Sequence, residues 1–286
     1  MRKLLLTVLT ISLCVINSWA QETVKVAPAG FDKLRPEIPH GKIDTVEYTA
    51  KQLGTNRKAL VYTPPGYTKK KKYPVLYLLH GIGGDEFEWL RNGQPHIILD
   101  NLYAEGKLEP MIVVLPNGRA MKDDRPVGNV FDSLKVQAFT AFEKDLLENL
   151  IPFVEKTYPV EKDRKRRALA GLSMGGGQSL NFGLKNLDTF AWVGGFSSAP
   201  NTKMPAELFP NPAQDKGKLQ LLWISCGVED NLMNITQRTH EYLEQHGVPH
   251  VYYLEPGGHD FNVWKNDLYM FSQLLFKPAK ATKSAK

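Results

Sequence analysis

Cysteine is scarce in this sequence, with Cys14 and Cys226 the two examples among 286 residues. So few cysteines exclude a disulfide-rich scaffold and a structural zinc site built from cysteine pairs. Internal repeats are absent, and the composition is not that of a collagen, a coiled coil or a disordered chain. Hydrophobic residues make up 42% of the chain and charged residues 23%. These values are typical of a globular protein with enough residues for one large domain.

Long apolar runs are also missing, apart from one near the amino terminus. The basic start Met1-Arg2-Lys3 precedes a largely apolar segment over 4–16, and the small residues Ser18 and Ala20 follow it. This layout predicts a secretory signal peptide over residues 1–20. The alternative is an uncleaved anchor, which is disfavoured because a membrane span needs about 20 apolar residues. We therefore expect an exported protein, periplasmic or extracellular, without a stable membrane anchor after cleavage.

Acidic residues are fewer than basic ones, which gives a net charge of +6. Cleavage of the signal peptide would remove two basic residues and leave a charge of +4. The remaining excess lies mainly in 69–72, 162–167 and 277–286, and none of these stretches interleaves with aromatic residues. A nucleic-acid groove would combine the two, so we expect no nucleic-acid partner. The low-complexity stretch 278–286 is expected to be a disordered tail.

Short apolar runs alternate with amphipathic stretches from about residue 43 onwards. The predicted strands are 43–50, 58–63, 75–79, 111–115, 168–170, 191–196, 221–225 and 251–254. The predicted helical stretches are 95–105, 136–157, 176–187, 235–246 and 261–276. This alternation predicts an α/β fold, a three-layer sandwich with helices on both faces of a mostly parallel central sheet that opens with an antiparallel pair. We expect one domain over 43–277, preceded by an arm over 21–42.

The segment Gly171-Leu172-Ser173-Met174-Gly175 joins a predicted strand to a predicted helix. A G-x-S-x-G pattern at such a junction is typical of a nucleophile elbow, in which glycines allow a tight turn that exposes the serine hydroxyl. The pattern alone is weak, and its position between strand and helix makes it informative. We predict Ser173 as a nucleophile.

A serine nucleophile needs a base and an acid that orients the base. His259 follows two glycines and the last predicted strand, which makes it the best candidate for the base among seven histidines. Two acids, Glu229 and Asp230, follow the preceding strand. We favour Asp230 because it lies further out in the loop, and the order serine, acid, histidine is that of an α/β-hydrolase. Glu229 stays open as the alternative.

The glycine-rich segment His80-Gly81-Ile82-Gly83-Gly84 follows the predicted strand 75–79. In this fold the loop after that strand supplies one backbone N–H of the oxyanion hole, and the residue after the nucleophile supplies the other. We therefore predict the Ile82 and Met174 amides as the two donors. His80 is expected to bond to backbone groups and to shape the loop.

Five motifs carry a family resemblance. They are 38–41 (IPHG), 61–67 (VYTPPGY), 78–84 (LLHGIGG), 170–177 (AGLSMGGG) and 196–200 (FSSAP). Together they resemble the bacterial carbohydrate esterase family 1, which contains feruloyl and acetyl xylan esterases and belongs to the esterase D-like α/β-hydrolases. The resemblance spans about residues 30–276 and supports the site residues already named. It implies hydrolysis of ester bonds on plant xylan, with an acylated cell-wall polysaccharide or oligosaccharide as partner and no metal or organic cofactor.

The acyl pocket is the least defined part of the prediction. Phe87, Trp89 and Trp264 lie in or near loops and are candidates for stacking on a hydroxycinnamoyl ring, although both tryptophans could instead pack beneath their loops. A feruloyl substrate is favoured over an acetyl one. Other readings are an exported acyltransferase or siderophore esterase of the same group, and an inactive binding protein on the same fold.

Overall fold

The structure is a computed structural model that describes residues 26–277. The predicted signal peptide over 1–20 and the predicted tail over 278–286 lie outside the described residues. Residues 26–41 precede the first strand and are fixed to the rest of the chain by side-chain amides. Asn266 accepts a hydrogen bond from the Ala27 N–H at 2.6 Å, and Asn101 donates to the Phe31 carbonyl at 2.9 Å.

Eight strands form one sheet over the described residues. The strands are β1 (Lys42–Ala50), β2 (Thr55–Thr63), β3 (Val75–Leu79), β4 (Ile112–Pro116), β5 (Arg167–Leu172), β6 (Trp192–Phe196), β7 (Leu221–Gly227) and β8 (Val251–Glu255). Their order in the sheet is β1-β2-β4-β3-β5-β6-β7-β8. β2 runs antiparallel to both of its neighbours, whereas all pairs from β4 to β8 are parallel. The mostly parallel sheet predicted from the sequence is confirmed.

Helices cover both faces of this sheet. They are α1 (Pro95–Ala104), α2 (Ser133–Asp145), α3 (Ile151–Thr157), α4 (Ser173–Lys185), α5 (Pro205–Leu208), α6 (Pro212–Asp215), α7 (Met233–Gln245) and α8 (Phe261–Ser272). Two hydrophobic cores result, one beneath α1 and α8 and one beneath α2, α3, α4 and α7. Residues of β3 alternate between them, since Tyr77 joins one core while Leu76 and Leu78 join the other. Within 26–277, the helices are too short or too polar to cross a membrane.

Some helix bounds differ from the prediction. α4 begins at Ser173 and not at Gly176, because the close packing of its glycine-rich first turn outweighs the poor helix propensity of glycine. The predicted stretch 136–157 is a continuous helical segment in which the π-helical turn Leu146–Leu150 joins α2 to α3. Two short helices, α5 and α6, lie between β6 and β7, where no helix was predicted.

A buried arginine connects β2 to the loop after β4. The Arg57 guanidinium is paired with Asp145 of α2, and it donates to the carbonyls of Asn117 at 2.8 Å and Arg119 at 2.7 Å. Tyr48 of β1 also donates to Asp145, at 2.6 Å. These bonds satisfy groups that would be costly to bury alone, and they hold the residues after β4 against the sheet.

Two buried carboxyl groups lie where β8 meets α8. Glu255 ends β8 and accepts a hydrogen bond from Asn266 Nδ2 at 2.5 Å, and Asp267 of α8 is fully buried. Burial raises the pKa of Glu255 to about 7, with a contribution from the nearby Asp260 charge. Burial and the charge of Glu255 raise the pKa of Asp267. The folded protein therefore holds protons here that the unfolded chain releases.

We expect Glu255 to add a negative slope to the pH dependence of the free energy of unfolding between about pH 4.5 and about pH 7. Glu255 keeps its proton in the folded state after the unfolded chain has lost it, so its contribution is present at low pH and is lost as the pH approaches the folded pKa. One such proton gives a slope of at most about 1.4 kcal/mol per pH unit. Glu255→Gln should flatten the slope, measured by urea unfolding at several pH values. The exposed Glu241→Gln should not change it, and equal slopes for wild type and Glu255→Gln would contradict the prediction.

Candidate active site

The backbone turns sharply where β5 meets α4. Ser173 is the first residue of α4 and has a φ of 51°, in the left-handed region that costs a residue with a side chain about 1–2 kcal/mol. A Cβ atom on Gly175 would lie 2.6 Å from the His80 carbonyl oxygen, and one on Gly171 would lie 2.7 Å from the Gly175 backbone. Backbone thus occupies the space of both side chains, which is why glycine is required on either side of the serine.

The three side chains predicted as a triad lie in hydrogen-bond contact. His259 Nε2 is 2.9 Å from Ser173 Oγ, and His259 Nδ1 is 2.7 Å from Asp230 Oδ2. Because a carboxylate can only accept, Nδ1 carries the proton and Nε2 is left to accept from the serine hydroxyl. The Asp230 carboxylate is fully buried, whereas the His259 side chain is one-third exposed. The histidine is therefore accessible from solvent, whereas the carboxylate is not.

Glu229 and Asp230 point to different environments. Asp230 is buried and accepts a second hydrogen bond from the Leu232 N–H at 2.8 Å, whereas Glu229 is exposed. The backbone N–H of Glu229 donates to the Gly257 carbonyl at 2.9 Å, so the loop of the acid is tied to the loop of the histidine. Of the two acids, Asp230 is the one that contacts His259.

The glycine-rich loop after β3 lies beside the serine. A Cβ atom on Gly81 would be 3.5 Å from the Ser173 Cβ, and Ile82 packs against Met174. The Ile82 amide makes no hydrogen bond to another described residue, and the Met174 amide lies in the first turn of α4, where N–H groups have no partner within the helix. The two predicted donors thus lack a partner among the described residues, and the Met174 amide lies at the helix end that favours negative charge.

His80 holds the glycine-rich loop in place through hydrogen bonds to backbone groups. Its Nδ1 donates to the Gly81 carbonyl at 2.7 Å, and its Nε2 accepts from the Gly118 N–H at 2.8 Å. Burial lowers the pKa of His80, which keeps the ring neutral and matches these two roles. The side chain bonds to backbone on both sides.

Arg119 also holds the loop, and the sequence analysis missed it. Its guanidinium is fully buried, donates to the carbonyls of Ile82 and Gly84, and lies 5.1 Å from the centre of the Phe139 ring. The signal in the sequence was Asn117-Gly118-Arg119 directly after an apolar strand, since strand ends in this fold carry functional residues. The sequence does not indicate which backbone carbonyls a side chain contacts, however, because every residue has a carbonyl.

The aromatic residues predicted for the acyl pocket occupy three different positions. Trp89 is buried in the core, where its indole N–H donates to the Leu79 carbonyl at 2.9 Å and its ring packs against Phe261. This placement argues against the predicted stacking role and gives Trp89 a packing role instead. Trp264 is also buried and packs edge-on against the His259 ring at 4.9 Å, so it supports the base. Phe87 is half-buried against the α1 and α8 core, and its substrate role stays a prediction.

A small apolar cluster borders the catalytic groups. Phe139, Met174 and Ala199 form its buried part, and the half-buried side chains of Ile82, Val136 and Leu232 pack around them. Ile82 and Met174 are the predicted oxyanion donors, and Leu232 follows Asp230 by two residues. The cluster therefore places apolar side chains beside the residues predicted as the triad. We refer to these six residues as the acyl-side cluster.

Cys226 lies close to Asp230. It is buried at the end of β7, and burial together with the Asp230 charge raises the pKa of its thiol to about 12. The thiol is protonated at neutral pH and packs as a small apolar side chain, as the sequence indicated.

Comparisons with known proteins identify the family of this chain. The Esterase family model matches residues 50–273, a span that includes the serine, the acid and the histidine. The endo-1,4-beta-xylanase/feruloyl esterase of Xylanibacter ruminicola is 34% identical over 255 residues, which cover 86% of this chain. The chain spans about a third of that relative's length.

Two further proteins match over most of their own length. The acetyl esterase of Caldicellulosiruptor saccharolyticus is 25% identical over 264 residues, covering 77% of this chain and 92% of that relative. The carbohydrate esterase family 1 ferulic acid esterase of Anaeromyces mucronatus, solved in complex with ferulic acid, superimposes with a TM-score of 0.80 at 28% identity. That match covers 89% of this chain and 98% of the solved one. The predicted α/β-hydrolase class and the resemblance to carbohydrate esterase family 1 are confirmed, and the chain belongs to the Esterase family.

Proposed function

We propose that this protein is a serine carboxylic ester hydrolase that removes acyl groups from xylan-type plant polysaccharide, with feruloyl groups favoured. The proposal rests mainly on one observation, the two contacts that join Ser173 to His259 at 2.9 Å and His259 to Asp230 at 2.7 Å. Nucleophile, base and acid in this relation activate a hydroxyl for attack on a carbonyl carbon. The similarity to feruloyl esterases and to an acetyl esterase supports an ester as the substrate.

The first half of the proposed reaction forms an acyl-enzyme. Ser173 Oγ attacks the ester carbonyl while His259 Nε2 takes the hydroxyl proton, and Asp230 stabilises the imidazolium that results. The tetrahedral intermediate collapses when the bond to the sugar oxygen breaks. His259 then returns the proton to that oxygen, and the sugar hydroxyl leaves.

The second half releases the acid. A water molecule gives a proton to His259 Nε2 as its oxygen attacks the acyl carbon, and the proton passes to Ser173 Oγ when the second intermediate collapses. In both halves negative charge develops on the carbonyl oxygen. The Ile82 and Met174 amides are the proposed donors for this oxyanion, and their fixed orientation would stabilise it without a reorganisation cost.

Arg119 acts in this scheme as a positioning residue. Its guanidinium is fully buried, and its hydrogen bonds to the Ile82 and Gly84 carbonyls orient the peptide groups of the loop that presents the Ile82 amide. A shift of that loop by a fraction of an ångström would weaken oxyanion stabilisation, because the donors must meet the oxygen at about 2.7–3.1 Å.

The choice between feruloyl and acetyl groups depends on the acyl side. The acyl-side cluster supplies apolar surface, and the exposed side chains of Val127, Phe131 and Leu134 precede and begin the helix that carries its Val136. Such surface suits an aromatic acyl group, which gains more from apolar contact than an acetyl group does. Acetyl ester hydrolysis is the second candidate, favoured by the relative that matches over 92% of its length. Export, supported by the pattern of residues 1–20, would bring the enzyme to a polysaccharide.

A pair of esters with one leaving group tests the acyl preference. We expect kcat/KM to be at least about tenfold higher for 4-nitrophenyl ferulate than for 4-nitrophenyl acetate, since the aromatic acyl group buries more apolar area. Release of ferulate and acetate from native xylan, quantified by chromatography, extends the comparison to polymer. Ser173→Ala is the blank and should lose at least about a thousandfold with both esters while the fold is retained. Faster turnover of the acetate would reverse the preference, and activity of Ser173→Ala near wild type would refute the nucleophile.

Two neighbouring acids give a matched test of the triad. Asp230→Asn should lower kcat by about a hundredfold or more, because an amide cannot hold the histidine in the right tautomer or stabilise its charged form. Glu229→Gln, which changes an exposed side chain in the same loop, should stay within about twofold. Steady-state kinetics on one aryl ester measure both. If Glu229→Gln caused the larger loss, the acid would have to be reassigned.

Replacement of Arg119 tests its positioning role. Arg119→Met should lower kcat by about tenfold or more with little change in KM, because the oxyanion is bound in the transition state and not in the ground state. Arg119→Lys should recover little, since an ammonium lacks the planar fork that reaches two carbonyls. A boronic acid that mimics the intermediate should bind more weakly to Arg119→Met, whereas product ferulate should bind as before.

The control for that experiment is another buried arginine. Arg167, at the amino-terminal end of β5 and so at the opposite end of that strand from Ser173, also donates to backbone carbonyls, those of Thr189 and Lys162. Arg167→Met should affect stability but leave kcat per folded molecule within about twofold. Equal losses of kcat in both arginine variants would mean that Arg119 acts through general stability.

A further inference from the structure

A second group of polar side chains lies at the far end of α7, away from the triad. His240 and Glu244 are four residues apart on this helix, and His250 precedes β8. Each offers one ligand atom, and the three atoms lie within 4.8 Å of one another. Side chains four apart on a helix share a face, so the helix itself aligns two of the three.

The histidine rings are held in orientations that suit a shared ligand. His250 Nδ1 donates to the Val248 carbonyl at 2.8 Å, so the lone pair of its Nε2 is directed away from the backbone, towards His240 Nδ1 at 2.8 Å. A backbone carbonyl on the second ring nitrogen is the usual support of a metal-bound histidine. The His240 ring stacks on Tyr252 with centres 3.9 Å apart and planes 5° apart, which limits its rotation.

We infer that His240, Glu244 and His250 form a binding site for a divalent metal ion of the zinc type. Two imidazoles and one carboxylate match the ligand preference of Zn²⁺, and they do not match Ca²⁺ or Mg²⁺, which prefer oxygen ligands. Zinc–nitrogen distances of about 2.0–2.1 Å in tetrahedral geometry need ligand nitrogens about 3.3–3.4 Å apart. The rings would have to separate by roughly half an ångström from their present contact.

Metal binding replaces the hydrogen bond between the two rings. In the neutral pair the proton lies on His240 Nδ1, because His250 uses its own proton for the Val248 carbonyl. On binding, His240 Nδ1 releases this proton and Nε2 takes one up, so the ring stays neutral and turns a lone pair to the ion. Glu244 is exposed and supplies the third ligand from the solvent side, which leaves a fourth position for water.

The position of the site indicates a structural role. β8 begins directly after His250 and leads at its other end to the loop of His259, and α7 begins three residues after Asp230. An ion on these three ligands would join the carboxyl-terminal end of α7 to the start of β8. It would therefore link α7, which follows Asp230, to β8, which precedes His259. The link lies at the end of the strands opposite the triad.

Titration of the full chain with ZnCl₂ tests the inference. We expect one ion per chain, bound with a dissociation constant on the order of micromolar by competition with a chromogenic chelator, and a rise in the thermal unfolding midpoint at saturation. His250→Gln and His240→Gln should each weaken binding at least about tenfold, and Glu244→Gln should weaken it less. The matched control is His246→Gln, which changes an exposed histidine at the same end of α7 that bonds to the Tyr242 carbonyl. It should bind as wild type does.

A second control separates this site from the triad, because His259 could also bind zinc. His259→Gln should keep the same stoichiometry and affinity. The inference fails if the wild type shows no saturable binding below about 100 µM, if His250→Gln binds as tightly as wild type, or if His259→Gln abolishes binding. The first result would mean that the protein has no such site, and either of the other two would mean that zinc binds elsewhere.

Discussion

The left-handed backbone at Ser173 is the constraint on which the rest of the site depends. The turn places the first turn of α4 so close to the end of β3 that the Gly175 backbone and the Leu79–His80 backbone are in contact. That contact sets Ser173, the proposed nucleophile, beside the glycine-rich loop, and the same helix start has unpaired amides. The local strain, about 1–2 kcal/mol, is small against the two hydrophobic cores that β5 and α4 help to form.

Buried charged side chains link the glycine-rich loop after β3 to more distant parts of the chain. Arg119 bonds to the loop of Ile82, and the Arg119 carbonyl in turn accepts from Arg57, which is paired with Asp145. The loop after β3, which carries one of the proposed oxyanion donors, is thus linked through two guanidinium groups to β2 and α2. Removal of one partner would leave a buried charge uncompensated, so the network is sensitive to single changes in a way that scattered surface ion pairs are not.

The sequence predicted most of the fold because its signals are local. Every predicted strand overlaps an observed one, and the three residues predicted as a triad from their positions at strand ends lie in hydrogen-bond contact. The residues whose roles the sequence did not predict make their decisive contacts with backbone carbonyls. The role of Arg119 depends on carbonyls about 35 residues away, and Trp89 is buried because its indole bonds to the Leu79 carbonyl. The glycines that begin α4 have low helix propensity, so the prediction started the helix three residues late.

Acyl specificity is hard to read from the sequence for a related reason. The acyl-side cluster combines the loop after β3, helix α2, the start of α4 and the loops after β6 and β7, segments separated by about 25 to 55 residues along the chain. The catalytic groups need fixed positions, and glycines and strand ends mark them. A pocket wall needs only apolar surface of suitable shape, and many side chains supply that equally well. The chemistry of this site is therefore encoded in motifs, whereas its preference is encoded in packing.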